Sequence, residues 1–120
     1  MSDLKKLTKI IKALADENRI RIVALLKTKK NLCVCEITEI IGLSQPTISS
    51  HLKKLQDAEI ITFSKDGSWV NYSLDENMEE SVQKILNLIY QIIGDDEKIK
   101  SDIQISSKID RNIIFVKRTE

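Results

Sequence analysis

Two cysteines stand one residue apart in the stretch NLCVCEIT, residues 31–38, and they are the only thiols in a chain of 120 residues. Thiolates are soft ligands that select thiophilic ions, and they are also nucleophiles open to oxidation. No apolar run reaches the roughly 20 residues of a membrane helix, and the opening MSDLKKLTK lacks the apolar segment of a signal peptide, so a cytoplasmic address and no membrane partner are expected. Thiols are kept reduced there, and a Cys-x-Cys bridge is expected to be strained. Cys33 and Cys35 therefore read as a metal or redox site rather than a structural disulfide.

A second set of chemically able residues follows in SQPTISSHLKK, residues 44–54, which has hydroxyls, an amide and two lysines but no acid before Asp57. Hydroxyls and amides read base edges, and lysines neutralise phosphates, so this composition suits a DNA groove. No nucleophile with a base and its orienting group, no phosphate loop and no paired acids are present, and an enzyme is not expected.

These groups need elements to hold them. Leu4, Leu7, Ile10, Ile11 and Leu14 recur at helical spacing, with Lys5, Lys6, Lys9 and Lys12 on the wet side. Asp16 can cap a second helix over 17–27. A third helix is expected over 34–41, directed inward by Ile37, Ile40 and Ile41 and ended by Gly42; Ser44 then starts a fourth, with Pro46 tolerated in its first turn. Two short helices across a tight turn make a helix-turn-helix. At about 100° per residue, Ile48, Leu52 and Leu55 share one stripe and leave Pro46, Thr47, Ser49, Ser50, Lys53 and Lys54 outward, with Ser44 and Gln45 at the leading end. His51 falls beside the stripe and reads as a packing or hydrogen-bonding residue.

After Glu59 the period changes to two. IITFSK and SWVNYS are joined by Asp66-Gly67, the signature of a type I′ hairpin, and this wing would carry Lys65 and Ser68 to neighbouring DNA. Helical period returns over 78–93, where Val82, Ile85, Ile89 and Ile92 form a stripe and Leu86, Leu88 and Ile93 widen it beyond what one small domain can cover. The fold expected is therefore mainly α with a β-hairpin wing, a winged helix-turn-helix dimeric through its first and last helices. Residues 1–93 form the DNA-binding and dimerisation domain, and 94–120 a C-terminal extension without an assigned role. Within that extension GDDEKIKSD reads as a polar linker and NIIFVK as a short strand or tail segment. The formal net charge of +1 allows nucleic acid without demanding it, although basic side chains outnumber acidic ones in residues 1–30.

With these residues in view, the chain resembles the ArsR/SmtB family of metalloregulatory repressors. The resemblance is carried by ALADENRIRIVALL (13–26), LCVCEITEIIGLSQPTISSHLKKL (32–55) and FSKDGSWVNYSLD (63–75), in family order through most of residues 4–93. It implies a homodimer that occupies double-stranded operator DNA without any cofactor and leaves it on binding an inducer. LCVCE resembles the thiolate site of the arsenic and antimony sensors, which maps Cys33 and Cys35 onto the first two ligands of As(III) or Sb(III). The third cysteine of that pattern corresponds to Thr38 here. Related cadmium and lead sensors share Leu-Cys-Val-Cys, and a redox-responsive pair is a further alternative. The Asp and His pairs of zinc-type members have no match in DENMEESVQ, residues 75–83, and His51 is the only histidine.

In a regular helix, residues two apart point about 200° apart, so both sulfurs cannot reach one ion unless the first turn is distorted or frayed. The expected response is a reshaped start of the third helix, passed on to the recognition helix packed beside it.

Overall fold

The structure, a computed structural model, describes residues 2–114. Its elements are α1 (Asp3–Leu14), α2 (Glu17–Thr28), β1 (Leu32–Cys33), α3 (Val34–Ile41), α4 (Gln45–Asp57), β2 (Ile61–Asp66), β3 (Trp69–Leu74), α5 (Glu80–Ile93) and α6 (Glu97–Ser106). The boundaries follow from local chemistry. The Asp16 carboxylate accepts from the backbone N–H groups of Asn18 and Arg19 at 2.8 and 3.1 Å and so caps α2. Gly42, at φ 84°, ends α3 in a left-handed conformation, and Ser44 caps α4 with Pro46 in the first turn. The turn between α3 and α4 is the one the sequence predicts.

Helix α2 is the hub. Ile22, Val23, Leu25 and Leu26 are each at most 1% exposed, and α1, α3, α4, α6 and β3 all pack on it, so it is apolar on more than one face. Ile37, Ile40 and Ile41 of α3 and Ile48, Leu52 and Leu55 of α4 complete the core as their spacing implies. Ile10, Ala13 and Leu14 anchor α1, and Val82 and Leu86 anchor α5.

Three features depart from the sequence reading. The hairpin pairs Asp66 with Trp69, so its two-residue loop is Gly67-Ser68 and not Asp66-Gly67. Positive φ falls on Gly67 but not on Ser68, which is the requirement of a type II′ turn rather than type I′. The wing sheet also has a third strand: β1 pairs antiparallel with β3, Leu32 opposite Tyr72 and Cys33 opposite Asn71, in the order β1-β3-β2. Finally, the polar stretch expected to be a linker contains α6.

The α6 helix is capped by Asp96, which accepts from the N–H groups of Lys98 and Ile99, and it buries Ile99, Asp102 and Ser106. Its buried side is held by charge. Arg21 Nε and Nη2 donate to the two Asp102 oxygens at 2.9 and 2.8 Å, while Nη1 donates to Asn18 Oδ1 at 2.9 Å and Nη2 also to the Ile41 carbonyl at 3.2 Å. One guanidinium thus ties α2, the end of α3 and α6 together. Lys29 Nζ donates to the Ser106 carbonyl at 2.9 Å and fixes the far end. Residues 111–114 form a helical turn where NIIFVK reads as a strand or tail segment, and the rest of that stretch lies outside the described residues.

Because the Arg21–Asp102 pair is buried and fully hydrogen-bonded, removing one partner strands the other in a low-dielectric site. Asp102→Ala should lower stability by about 3–5 kcal/mol, read as a lower denaturation midpoint at unchanged denaturant slope.

Candidate functional site

Cys33 is not on the helix. It is the N-cap of α3, extended at φ −79°, ψ 165°, and it is also the last residue of β1. Cys35 lies in the first turn that follows. The extended cap swings the Cys33 side chain off the helical wheel, so the two sulfurs meet without any distortion of α3, and the structure joins them as a disulfide where the sequence favours separate thiols. Cys33 is buried at 3% exposure and Cys35 is half-buried.

Around the pair the backbone is held by a polar cluster. Glu36 Oε1 accepts from the Cys33 N–H at 3.0 Å, the return half of a capping box, and from Arg111 Nη2 at 2.8 Å. Arg111 Nη2 also donates to the Asn31 carbonyl at 2.6 Å, and its guanidinium carbon lies 5.1 Å from the centroid of the Trp69 ring. Asn31 itself sits at φ 61° and exchanges two hydrogen bonds with the Ser73 hydroxyl of β3. Two buried polar atoms near the cysteines lack hydrogen-bond partners: Thr38 Oγ1, one helical turn beyond Cys35, and Asn71 Oδ1, on the cross-strand partner of Cys33.

The face of α4 opposite its buried stripe is exposed. Ser44, Gln45, Pro46, Thr47, Ser49, Ser50, Lys53 and Lys54 are all on the surface. The Ser44 hydroxyl lies 2.8 Å from the Thr47 hydroxyl and accepts from the Thr47 N–H, so it serves the helix cap. Lys53 makes an exposed ion pair with Asp57 at 3.7 Å, a weak contact that a phosphate could replace. Lys65 and Ser68 are exposed at the wing tip. His51 turns inward, with Nδ1 3.2 Å from Arg19 Nη1, which agrees with its predicted hydrogen-bonding role.

A helix-turn-helix followed by a β-hairpin is a winged helix-turn-helix, and the comparisons agree. The pattern of the family described as "Bacterial regulatory protein, arsR family" matches residues 16–62. An arsenical resistance operon repressor of Staphylococcus aureus is 39% identical over 85 residues, which span 71% of this chain and 81% of that protein. The chain belongs to the arsR family. The arsenic resistance transcriptional regulator ArsR1 of Pseudomonas putida is 40% identical over 77 residues, covering 64% of this chain and 60% of its own length. A cadmium resistance regulatory protein CadC homolog of Staphylococcus aureus is likewise 40% identical over 77 residues, covering 63% of this chain and 64% of its own length. Among solved structures, the homodimeric winged helix-turn-helix DNA-binding domain Mb0332 of Mycobacterium bovis matches with a TM-score of 0.64 at 25% identity, covering 80% of this chain and 89% of that one. This arsR-family chain is thus a DNA-binding transcription regulator by fold and by family. Among the described residues no helix is long and apolar enough to cross a membrane.

The contacts of Asn31 and Arg111, and the Cys33 N–H as the partner of Glu36, are what the sequence reading lacks at this site. Glu36 did carry a signal, since an acid three residues after a cap is capping-box spacing. Arg111 carried none, because its partners Trp69, Glu36 and Asn31 are 42, 75 and 80 positions away in sequence.

Burial lowers the His51 pKa from its ordinary value, aided by Arg19 and Lys54 and opposed by Asp16. The fold therefore favours neutral imidazole, and the unfolded chain takes up the proton first. The His51 contribution is complete above about pH 6.5 and is lost as the pH falls below it. Denaturation midpoints should decline from pH 7.5 to 5.5, and His51→Gln should flatten that decline.

Proposed function

We propose that this regulator is a homodimeric repressor that binds a palindromic operator and is released when trivalent arsenic or antimony is ligated by Cys33 and Cys35. The carrying observation is the convergence of both sulfurs at the residue where the wing sheet ends and α3 begins. A trivalent metalloid supplies a soft centre that thiolates hold in preference to harder donors. The donor set fits it. Once a cellular thiol has reduced the disulfide, the two thiols would take two positions, each giving up its proton as the sulfur binds. The partnerless Thr38 hydroxyl and Asn71 amide oxygen are the polar groups positioned to receive a hydroxide or water in the third. Among the described residues no group of three or more His, Cys, Asp and Glu side chains converges, which disfavours a four-coordinate cadmium or zinc ion within one chain.

Release follows from what Cys33 connects. Moving its sulfur and backbone alters the cap of α3, and α3 packs on α4 across the Gly42 turn. The same movement pulls on β3 through the Cys33–Asn71 pairing, so the recognition helix and the wing are both displaced. The exposed face of α4 and the exposed Lys65 of the wing support operator contact through Gln45, Thr47, Ser49 and Ser50 for bases and Lys53, Lys54 and Lys65 for phosphates. Leu4, Leu7 and Ile11 of α1 and Leu88 and Ile92 of α5 remain exposed, and a second copy of the chain would cover them. The homodimeric Mb0332 domain supports that occupant. Two protomers would then present two recognition helices about one DNA turn apart.

A second reading makes the pair a thiol switch, favoured by the joined sulfurs. Two thiols would reduce one peroxide to two waters and form the disulfide, giving the same displacement.

An operator titration under reducing conditions separates the readings. Arsenite should weaken binding by about 5- to 150-fold, and the Cys33→Ser, Cys35→Ser double variant should not respond. Release by zinc but not by arsenite would sink the metalloid reading, and release by peroxide alone would establish the switch. Lys53→Ala should reduce the salt dependence of operator binding by about one unit of slope per protomer; an unchanged slope removes Lys53 from the phosphate contacts.

A further inference from the structure

We propose that Arg111 is a positioning residue that transmits events at Cys33 and Cys35 to the wing, with the Trp69 ring as its contact there. The choice of arsenite as probe rests on the inducer reading above, whereas the path rests on the geometry alone.

Glu36 is only 4% exposed, so its carboxylate depends on the partners it has inside the fold. A single oxygen, Oε1, accepts from both the Cys33 N–H and Arg111 Nη2. The cation comes from beyond α6, in the segment to which the sequence assigns no role. The same Nη2 holds the carbonyl of Asn31, whose left-handed φ of 61° sets how the chain enters β1. The guanidinium carbon then lies 5.1 Å from the ring centroid of Trp69, the first residue of β3 and two positions before Asn71, the cross-strand partner of Cys33. Arg111 therefore touches the entry to the thiol site, the cap of the sensing helix and the tip end of the wing, where Trp69 and Asp66 close the Gly67-Ser68 loop.

This arrangement has a mechanical consequence. Closing both sulfurs onto a shared atom, or opening them from a disulfide, moves the Cys33 N–H relative to Glu36 Oε1. The carboxylate follows, the guanidinium turns to keep its hydrogen bond, and the cation over the indole is displaced. The extended guanidinium holds both acceptors through Nη2 while its central carbon lies over the ring, whereas a lysine ammonium is a single point that would have to serve the acceptors and the ring from one nitrogen.

Trp69 is the only tryptophan in the chain, so its fluorescence reads the event directly. The full-length protein is titrated without DNA in two arms, arsenite added to the reduced protein and peroxide added separately. Occupancy is followed by the loss of two reactive thiols, and operator affinity is measured with and without each agent. The wild type should change Trp69 emission in step with thiol loss. Arg111→Ala should still lose both thiols, but with most of the emission change gone and the ratio of operator affinities reduced at least about fivefold. Arg111→Lys keeps a cation for Glu36 and guards against loss of the fold; it should retain near-native thermal stability and still lose the emission change. Wild-type emission changes and affinity ratios in both variants would overturn the proposal, as would a wild-type Trp69 silent in both arms while the thiols are consumed. Failure of arsenite alone to engage the thiols overturns the inducer reading, and the peroxide arm then decides the role of Arg111.

Discussion

The backbone of Cys33 serves two structures at once. A strand residue paired with Asn71 must be extended, and the N-cap of a helix must also sit in the extended region while its neighbours turn helical. One conformation meets both demands, and much else follows from it. It sends one thiol off the helical wheel toward the other, it makes the wing sheet and α3 meet at neighbouring residues, and it leaves an N–H that Glu36 can hold. A helix beginning one residue earlier would separate the sulfurs and detach β1 from the site.

Behind this junction stands a rigid hub. Arg19 and Arg21, both 9% exposed on α2, bind in different directions. Arg19 donates through Nε to the Ala13 carbonyl near the end of α1 at 2.7 Å and lies beside His51 of α4, while Arg21 takes the Ile41 carbonyl of α3 and the Asp102 carboxylate of α6. Both helices of the helix-turn-helix are therefore pinned to α2 by arginine hydrogen bonds as well as by apolar packing. Internal deformation of that unit is costly, and the start of α3, pinned by neither arginine, is where the fold can yield.

What the sequence made legible was local. The stripes of α3 and α4, the Gly42 turn and the caps at Asp16 and Ser44 are written within a few residues of one another, and the adjacent cysteines drew attention to the right helix start. The missing parts depend on distant pairings. A two-residue strand has no period to detect. Helix α6 hides its buried side behind Asp102, whose partner is 81 positions away. The wing loop was misplaced by one residue because Asp-Gly and Gly-Ser both suit two-residue loops, and the pairing of Phe63 with Tyr72, ring centroids 6.2 Å apart, belongs to the register built on Gly67-Ser68. The helix start at Val34 is legible, but periodicity does not report the conformation of the residue before it, and it is the extended Cys33 that lets the sulfurs meet without a frayed first turn.

The brevity of β1 bears on time as well as on shape. The ladder between β1 and β3 has only the Leu32 and Cys33 positions, with the two Asn31–Ser73 hydrogen bonds beside it, so peeling it away exposes the Leu32 side chain while the packing of α2, α3 and α4 on one another stays in place. Such openings lie at the low end of the free-energy scale of native fluctuations, far below global unfolding. Since Cys33 is almost fully enclosed, an incoming reagent meets its sulfur during these brief excursions. Access to that sulfur is then governed by how often a two-residue strand breathes, and the durability of the fold is set elsewhere.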